Sequence, residues 1–464
     1  MFPVKPEDAP TTSSSSEEKT GEIQAPRGFP DLLPEDHRFF TFVKKIVRHR
    51  CRQAGFQRIT TPMLENAELF ARGVGESSDI VSKEMFTLED RKGRTLALRP
   101  EGTAGVVRAF LERRLFAQPQ PVKLFYFDPA FRYERPQAGR FRQHWQFGAE
   151  VLGGENDPVV DAQVIELGFQ VLTDLGIADA GKFHINSIGC PACRPKFRKA
   201  LVAHFESRKR NLCEDCLSRL EKNPLRLLDC KNEDCRILAA DAPEPKDFLC
   251  EDCADHFTKL KEYLETLAIP FEENPRLVRG LDYYTKTVFE FIPADGGGTL
   301  CGGGRYDGLA ELLGGNATPG VGFGIGIERV SLEMKKKGLQ PPDKDRVQVF
   351  VALLGDDAKK KGLPLISALR RAGLRTRASL GQSSLKAQLK QADRLGAEWA
   401  VILGEFEVEQ ETAILRDLRI GDQQTTPFEK VEETLLKVFP EGDLDTFEPG
   451  EIELVEEKEE EPED

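Results

Sequence analysis

Between Phe39 and Ala54 the apolar residues Phe39, Val43, Ile46, Val47 and Ala54 recur at helical spacing, and Gly55 follows where a helix would stop. Beyond it the segments read as strands. QRITTP reads as a short strand ending at Pro62. LALRP (96 to 100), VKLFYFD (122 to 128) and HWQFGAEVL (144 to 152) read as further strands, the last two joined by the basic loop FRYERPQAGRFR. A helix over Val159 to Leu175 and a strand at KFHINSI follow. A cysteine-rich stretch (190–253) then interrupts the pattern, which resumes with a helix ending near Ala268, the strand YTKTVFEFI and a glycine-rich run to Gly326. Helices mixed with hairpin-connected strands predict an α+β domain around an antiparallel sheet over 23–334. KKKGLQPPDKD (335–345) has linker composition. After it, VQVFVALL, a helix through LISALRRAG, RTRASL, a helix SLKAQLKQADRLGA and WAVILGE alternate strand with helix, which predicts a small α/β domain over 346–440.

At 464 residues the chain is long enough for several domains. No stretch approaches the ~20 apolar residues of a membrane span, and the N-terminus lacks the charged-then-apolar pattern of a secretory signal, so a cytoplasmic protein is expected. The net charge of -13 is unevenly spread: 441–464 carries -12 and 1–22 carries -3, which leaves +2 on the body. Both ends have too little apolar content to fold and are expected to be disordered tails. The acidic balance therefore says nothing against a nucleic-acid partner for the body.

Three local patterns carry chemistry. Arg132, Arg135, Arg140 and Arg142 surround a turn made by Pro136 and Gly139, and guanidinium forks gathered on a hairpin suit phosphoryl oxygens, with a solvated hairpin tip as the alternative. In GVGFGIGIER, Gly320, Gly322, Gly324 and Gly326 alternate with apolar residues, giving a strand with one bare face on which a flat ligand could lie; Glu328 and Arg329 then open a helix. Eight of the ten cysteines fall at 190/193, 213/216, 230/235 and 250/253, the spacing of four-cysteine zinc sites. The insertion must leave and re-enter the body at neighbouring points. That favours a nested pairing, Cys190, Cys193, Cys250 and Cys253 at the base and Cys213, Cys216, Cys230 and Cys235 at the tip, over a sequential one. One or two structural zinc ions follow, with reduced buried thiols as the alternative. His37, His49, His184, His204 and His256 are scattered and suggest no chemistry.

Taken together these segments resemble the class II aminoacyl-tRNA synthetases and, within them, the histidyl-tRNA synthetase family. The first helix, strand and Pro62 resemble the dimer-forming first motif, FRYERPQAGRFRQHWQFGAE the second and GVGFGIGIERV the third; LVRGLDYYTKTVFE and CGGGRYDGL resemble histidine-specific signatures, and LRPEGTA (98 to 104) fits as well. The resemblance implies a catalytic domain of class II fold, the cysteine-rich insertion, and a C-terminal anticodon-binding domain. It implies a homodimer that activates L-histidine with ATP and Mg2+ to histidyl-adenylate and esterifies the 3′ end of tRNA(His), releasing AMP and diphosphate. By the same resemblance Arg132 takes the α-phosphate and Arg140 and Arg329 the γ-phosphate. Arg279 is the catalytic arginine, its alternative a structural pairing with Asp282. Glu150 and Tyr284, with Tyr283 beside it, meet the imidazole. Glu101, Thr103 and Gln146 hold the α-ammonium and carboxylate. Tyr306 is either a pocket wall or a core residue. His144 departs from the family pattern, because a phenylalanine usually stacks on adenine there. Lys386, Lys390 and Arg394 form a basic stripe that is either a solvated face or a surface for the tRNA backbone, and the insertion is placed to meet the acceptor arm. Two other readings remain open here: a regulatory paralogue of the family, which typically lacks the second domain, and a zinc-containing nucleic-acid-binding protein with a decayed catalytic core.

Overall fold

A computed structural model describes residues 23–75, 78–342, 346–379, 381 and 383–440; the two expected disordered tails lie outside them. The chain divides into two compact units, Met1–Pro341 and Pro342–Asp464. The first is built on an eight-stranded sheet. Its strands in chain order are β1 (Gln57–Arg58), β2 (Val122–Phe131), β3 (Gln143–Leu152), β4 (Gly181–Ser187), β5 (Phe271–Glu273), β6 (Thr285–Pro293), β7 (Cys301–Arg305) and β8 (Gly320–Gly326). They lie side by side as β1-β2-β3-β8-β7-β6-β4-β5. The interior pairs are antiparallel, as expected, and the edge strands β1 and β5 join in parallel.

Strand β1 is shorter than QRITTP suggested. Ile59 still donates to Phe125 O (2.9 Å), but Pro62 has no N–H to offer and the Thr61 carbonyl is taken by the Arg99 guanidinium (2.9 Å). LALRP joins a separate three-stranded sheet with Leu64–Asn66 and Thr87–Glu89.

The alternation along β3 has a direct structural consequence. Phe147, Ala149 and Val151 of β3 point into an apolar cluster completed by α1 (Pro34–Gln53), which buries Phe39, Phe40, Val43, Val47 and Cys51, and by a second long helix, Pro158–Asp174. Gln146, Gly148 and Glu150 therefore face the other side. There a second cluster combines the helix Thr103–Glu112, Tyr126, Tyr283, Tyr284 and Tyr306 with apolar residues of the cysteine insertion, among them Phe197, Leu220 and Leu227. The insertion folds as short helices, Arg194–Glu206, Glu214–Lys222 and Glu233–Ala239, and returns through Glu251–Thr266. The helix Ile327–Lys336 runs two residues into the segment of linker composition, and 343–345 lies outside the described residues.

The second unit holds a five-stranded sheet. Thr376–Ala378, Val349–Leu353 and Trp399–Leu403 are parallel, as the strand–helix alternation predicts, and an unforeseen hairpin, Thr412–Asp417 with Gln423–Pro427, extends the sheet antiparallel. Lys386, Lys390 and Arg394 are exposed on the helix Leu385–Arg394.

Candidate active site and cysteine centres

Arg132, Arg140, Arg279 and Arg329 converge on one cavity of about 270 Å³, together with His144 and Gln146. Backbone carbonyls hold the guanidiniums in place: Arg132 Nε donates to Pro100 O (2.9 Å), and Arg329 donates to Thr299 O (2.8 Å) and Gly139 O (3.3 Å). Burial lowers the basicity of Arg329, and repulsion from Arg140 and Arg132 lowers it further. A polyanion bound among them would relieve that repulsion. Burial, and after it Arg132 and Arg329, push the His144 imidazole down to about 3, so its ring is neutral. Arg135 and Arg142 do not line the cavity; Arg142 stacks instead on Tyr133, 3.8 Å from the ring centre.

Arg279 is not paired with Asp282. Its guanidinium makes an ion pair with Glu290 on β6, to which Thr299 also donates (2.8 Å), while Asp282 accepts from Asn223 of the insertion. The reason is strand geometry: Glu290 projects from the sheet toward the arginine, whereas Asp282 sits in the loop and faces the insertion. Burial works against the Arg279 charge, and Glu290 and Tyr284 more than offset it, raising its pKa. Its buried Nε has no hydrogen-bond partner among the described residues.

Glu101, Thr103, Glu150, Tyr283 and Tyr284 form a buried group beside the cavity, reached through Gln146 and through Arg279, which lies 5.9 Å from the Tyr284 ring. Glu101 accepts from the N–H groups of Thr103 (2.6 Å) and Ala104 (2.9 Å) at the start of their helix. No arginine pairs with it. The Thr103 hydroxyl donates to Glu150 (2.7 Å), as does Tyr306 (2.5 Å). Glu150 is fully buried, and burial pushes its carboxyl up to about 8 against the two hydrogen bonds, with Glu101 adding to the rise.

The glycine stripe of β8 makes room for these groups. A side chain at Gly322 would collide with the Glu150 carboxylate, and one at Gly324 with Gln146. The bare face is thus largely filled by side chains of the neighbouring strand, and only Gly324 and Gly326 open onto the cavity.

Sequence reasoning missed Tyr126, whose ring covers Gly102 and Gly148 and whose hydroxyl lies 3.5 Å from Gln146. It undervalued Tyr306, whose partner is 156 positions away. It also missed a buried brace behind the site, in which Asp161 pairs with Arg305 (2.6 Å) and His256 (2.7 Å) and accepts from Thr287 (2.7 Å). The brace fixes the strand end that carries Tyr306.

The cysteines gather in the nested arrangement: Cys190, Cys193, Cys250 and Cys253 in one group, Cys213, Cys216, Cys230 and Cys235 in the other. Neighbouring sulfurs are 3.8 to 3.9 Å apart. A disulfide needs about 2 Å; a tetrahedron of sulfurs about 2.3 Å from a zinc ion has edges of about 3.8 Å. Cys193, Cys213 and Cys250 stand at helix starts. The donor set and its spacing fit zinc.

The comparisons with known proteins agree with this geometry. A family model described as "Histidyl-tRNA synthetase" matches residues 28–330, and one described as "Anticodon binding domain" matches 348–438. The chain belongs to the histidyl-tRNA synthetase family. A histidine–tRNA ligase of Dehalococcoides mccartyi is 50% identical over 88% of this chain and 98% of its own length. One of Desulfitobacterium hafniense is 48% identical over 90% and 99%. The apo histidyl-tRNA synthetase of S. aureus superposes with a TM-score of 0.75 at 36% identity, covering 89% of this chain and all of that one. The enzyme is accordingly a histidine–tRNA ligase: it activates histidine with ATP and charges tRNA(His). Both other readings close here, because the second domain is present and the ligase relatives match over nearly their whole length. No helix among the described residues is long and apolar enough to cross a membrane.

Proposed function

We propose the following division of labour for the ligase reaction. Arg132 holds the α-phosphate of an ATP–Mg2+ complex, Arg140 and Arg329 hold the γ-phosphate, and the neutral His144 ring stacks on adenine. Glu150 and Tyr284, walled by Tyr283, take the two imidazole nitrogens. Glu101, Thr103 and Gln146 set the α-ammonium and carboxylate. A histidine carboxylate oxygen attacks the α-phosphorus, the bond to the bridging oxygen breaks and diphosphate leaves. The tRNA 3′-terminal ribose hydroxyl then displaces AMP from the carbonyl. Negative charge on the α-phosphoryl oxygens is greatest as the carboxylate arrives, and the Arg279 guanidinium, which lines the cavity, is the fixed cation that lowers the barrier.

The observation that carries this reading is the convergence of Arg132, Arg140, Arg279 and Arg329 on one cavity beside the buried, hydrogen-bonded carboxyl of Glu150. One half is built for a polyanion and the other for a small polar ring. Steady-state kinetics test the division: Arg140→Ala and Arg329→Ala should raise KM for ATP and leave KM for histidine within about twofold. Parallel rises in both constants would dissolve it.

Two structural zinc ions, one in each cysteine group, replace part of the core that a segment this short builds poorly. The reading extends to a cytoplasmic homodimer, supported by the resemblance of the first motif and by ten cysteines free of disulfides. The exposed stripe of Lys386, Lys390 and Arg394 meets the tRNA backbone.

A further inference from the structure

The catalytic arginine is held from two sides. From the sheet, Glu290 fixes its guanidinium. From the insertion, side chains between and beside the cysteine ligands fix the backbone of the segment that bears it. Arg226 donates to Arg279 O (3.4 Å) and lies against Gly280, where any side chain would meet its guanidinium. Asn223 donates to Asp282. Arg194, the residue after Cys193, is largely buried and donates to Tyr284 O (2.6 Å) and Gly189 O (3.1 Å). Asn223 and Arg226 occupy the short link between Cys216 and Cys230, so their positions are set by the tip cysteine group.

These contacts are part of a larger docking. Arg219 pairs with Asp79 of the catalytic unit (2.7 Å), and Arg226 reaches the same carboxylate (3.7 Å). Tyr283 and Tyr284 share one apolar cluster with Cys216, Leu220, Leu227, Cys230 and Cys235. Packed interiors transmit displacement, so a shift within this cluster is felt by the tyrosines that share it.

We propose that Asn223, Arg226 and Arg194 are positioning residues for histidine activation, and that the cysteine insertion is a support for the 279–284 segment. This rests on the roles given above to Arg279 and Tyr284. It adds a second role to the acceptor-arm contact expected from the sequence. A displacement of about 1 Å at Arg279 lowers the rate of α-phosphate attack without altering how ATP or histidine binds in the ground state.

The test is histidine-dependent ATP–diphosphate exchange by Asn223→Ala, Arg226→Gln and Arg226→Lys, each checked for zinc content and melting temperature. The expected result is a fall in kcat of roughly 10- to 100-fold, with KM for ATP and histidine within about twofold. Arg226→Lys keeps a charge for Asp79 but lacks the second prong for Arg279 O, so it should fall as well while keeping the fold. Combined with Arg279→Ala, neither Arg226 variant should slow the reaction further, since Arg226 acts on the backbone of that arginine. Wild-type kcat in Asn223→Ala and Arg226→Lys beside a slow Arg279→Ala overturns the inference alone, as do fully multiplicative losses. Wild-type kcat in Arg279→Ala overturns the inference together with the role on which it rests. Slow variants of a protein that contains no zinc keep the positioning and remove the metal.

Discussion

Glu150→Gln separates the two things this carboxyl does. In the free enzyme it is buried between the hydroxyls of Thr103 (2.7 Å) and Tyr306 (2.5 Å), with its pKa near 8. Accepting an imidazole N–H at full strength requires the ionised form, so below pH 8 histidine binding has to expel a proton. Wild-type kcat/KM for histidine should therefore climb several-fold between pH 7 and 8.5 and then level. Glutamine has no proton to expel and gives a flat profile. A charge-assisted hydrogen bond is worth about 1 to 2 kcal/mol more than a neutral one, so at pH 8.5 the variant should be roughly 10-fold slower in kcat/KM. Stability moves the opposite way. The folded pKa of about 8 lies above the ordinary 4.5, so the native protein holds a proton that the unfolded chain has released. The stabilisation this gives is complete below pH 4.5 and is lost as pH rises toward 8, at most ~1.4 kcal/mol per unit. Melting curves should show Glu150→Gln gaining on wild type from pH 5 to 8 and holding its gain above. A wild-type profile flat from pH 7 to 8.5, or an unaltered kcat/KM in the variant, would refute the reasoning.

Arg279→Ala should slow histidine activation roughly 10²- to 10³-fold with little change in KM for ATP, measured by diphosphate exchange. Tyr306→Phe removes a hydrogen bond that lowers the Glu150 pKa, so the rise of kcat/KM with pH should shift to higher pH. Elemental analysis of protein purified without chelator should find two zinc equivalents per chain; one equivalent would leave a single site standing, and none would leave thiols alone.

Strand β3 was legible because apolar and polar residues alternate along it with one face in the core, Phe147, Ala149 and Val151 against Gln146 and Glu150. The nesting of the cysteines was legible for a topological reason. The insertion leaves after β4 and returns through a helix that leads to β5, and these strands are paired in parallel, so the base must close on itself. Side-chain partners were not legible. Proximity in sequence favoured Asp282 for Arg279, yet the carboxylate that meets it is Glu290, placed by a strand and not by the loop. Thr103 and Glu150 stand 47 positions apart, and nothing in LRPEGTA shows that the threonine hydroxyl is spent on that carboxylate. The glycine stripe pointed to an empty face; only the neighbouring strand reveals that Glu150 and Gln146 fill most of it.

The most direct measurement is ATP–diphosphate exchange by the purified full chain, run with each of the twenty amino acids in turn. The account predicts exchange with histidine alone, because the buried Glu150 group and the Tyr284 hydroxyl demand a ring that both donates and accepts. Exchange supported equally by glutamine or asparagine, or no exchange with histidine by a folded, zinc-replete enzyme, would contradict it.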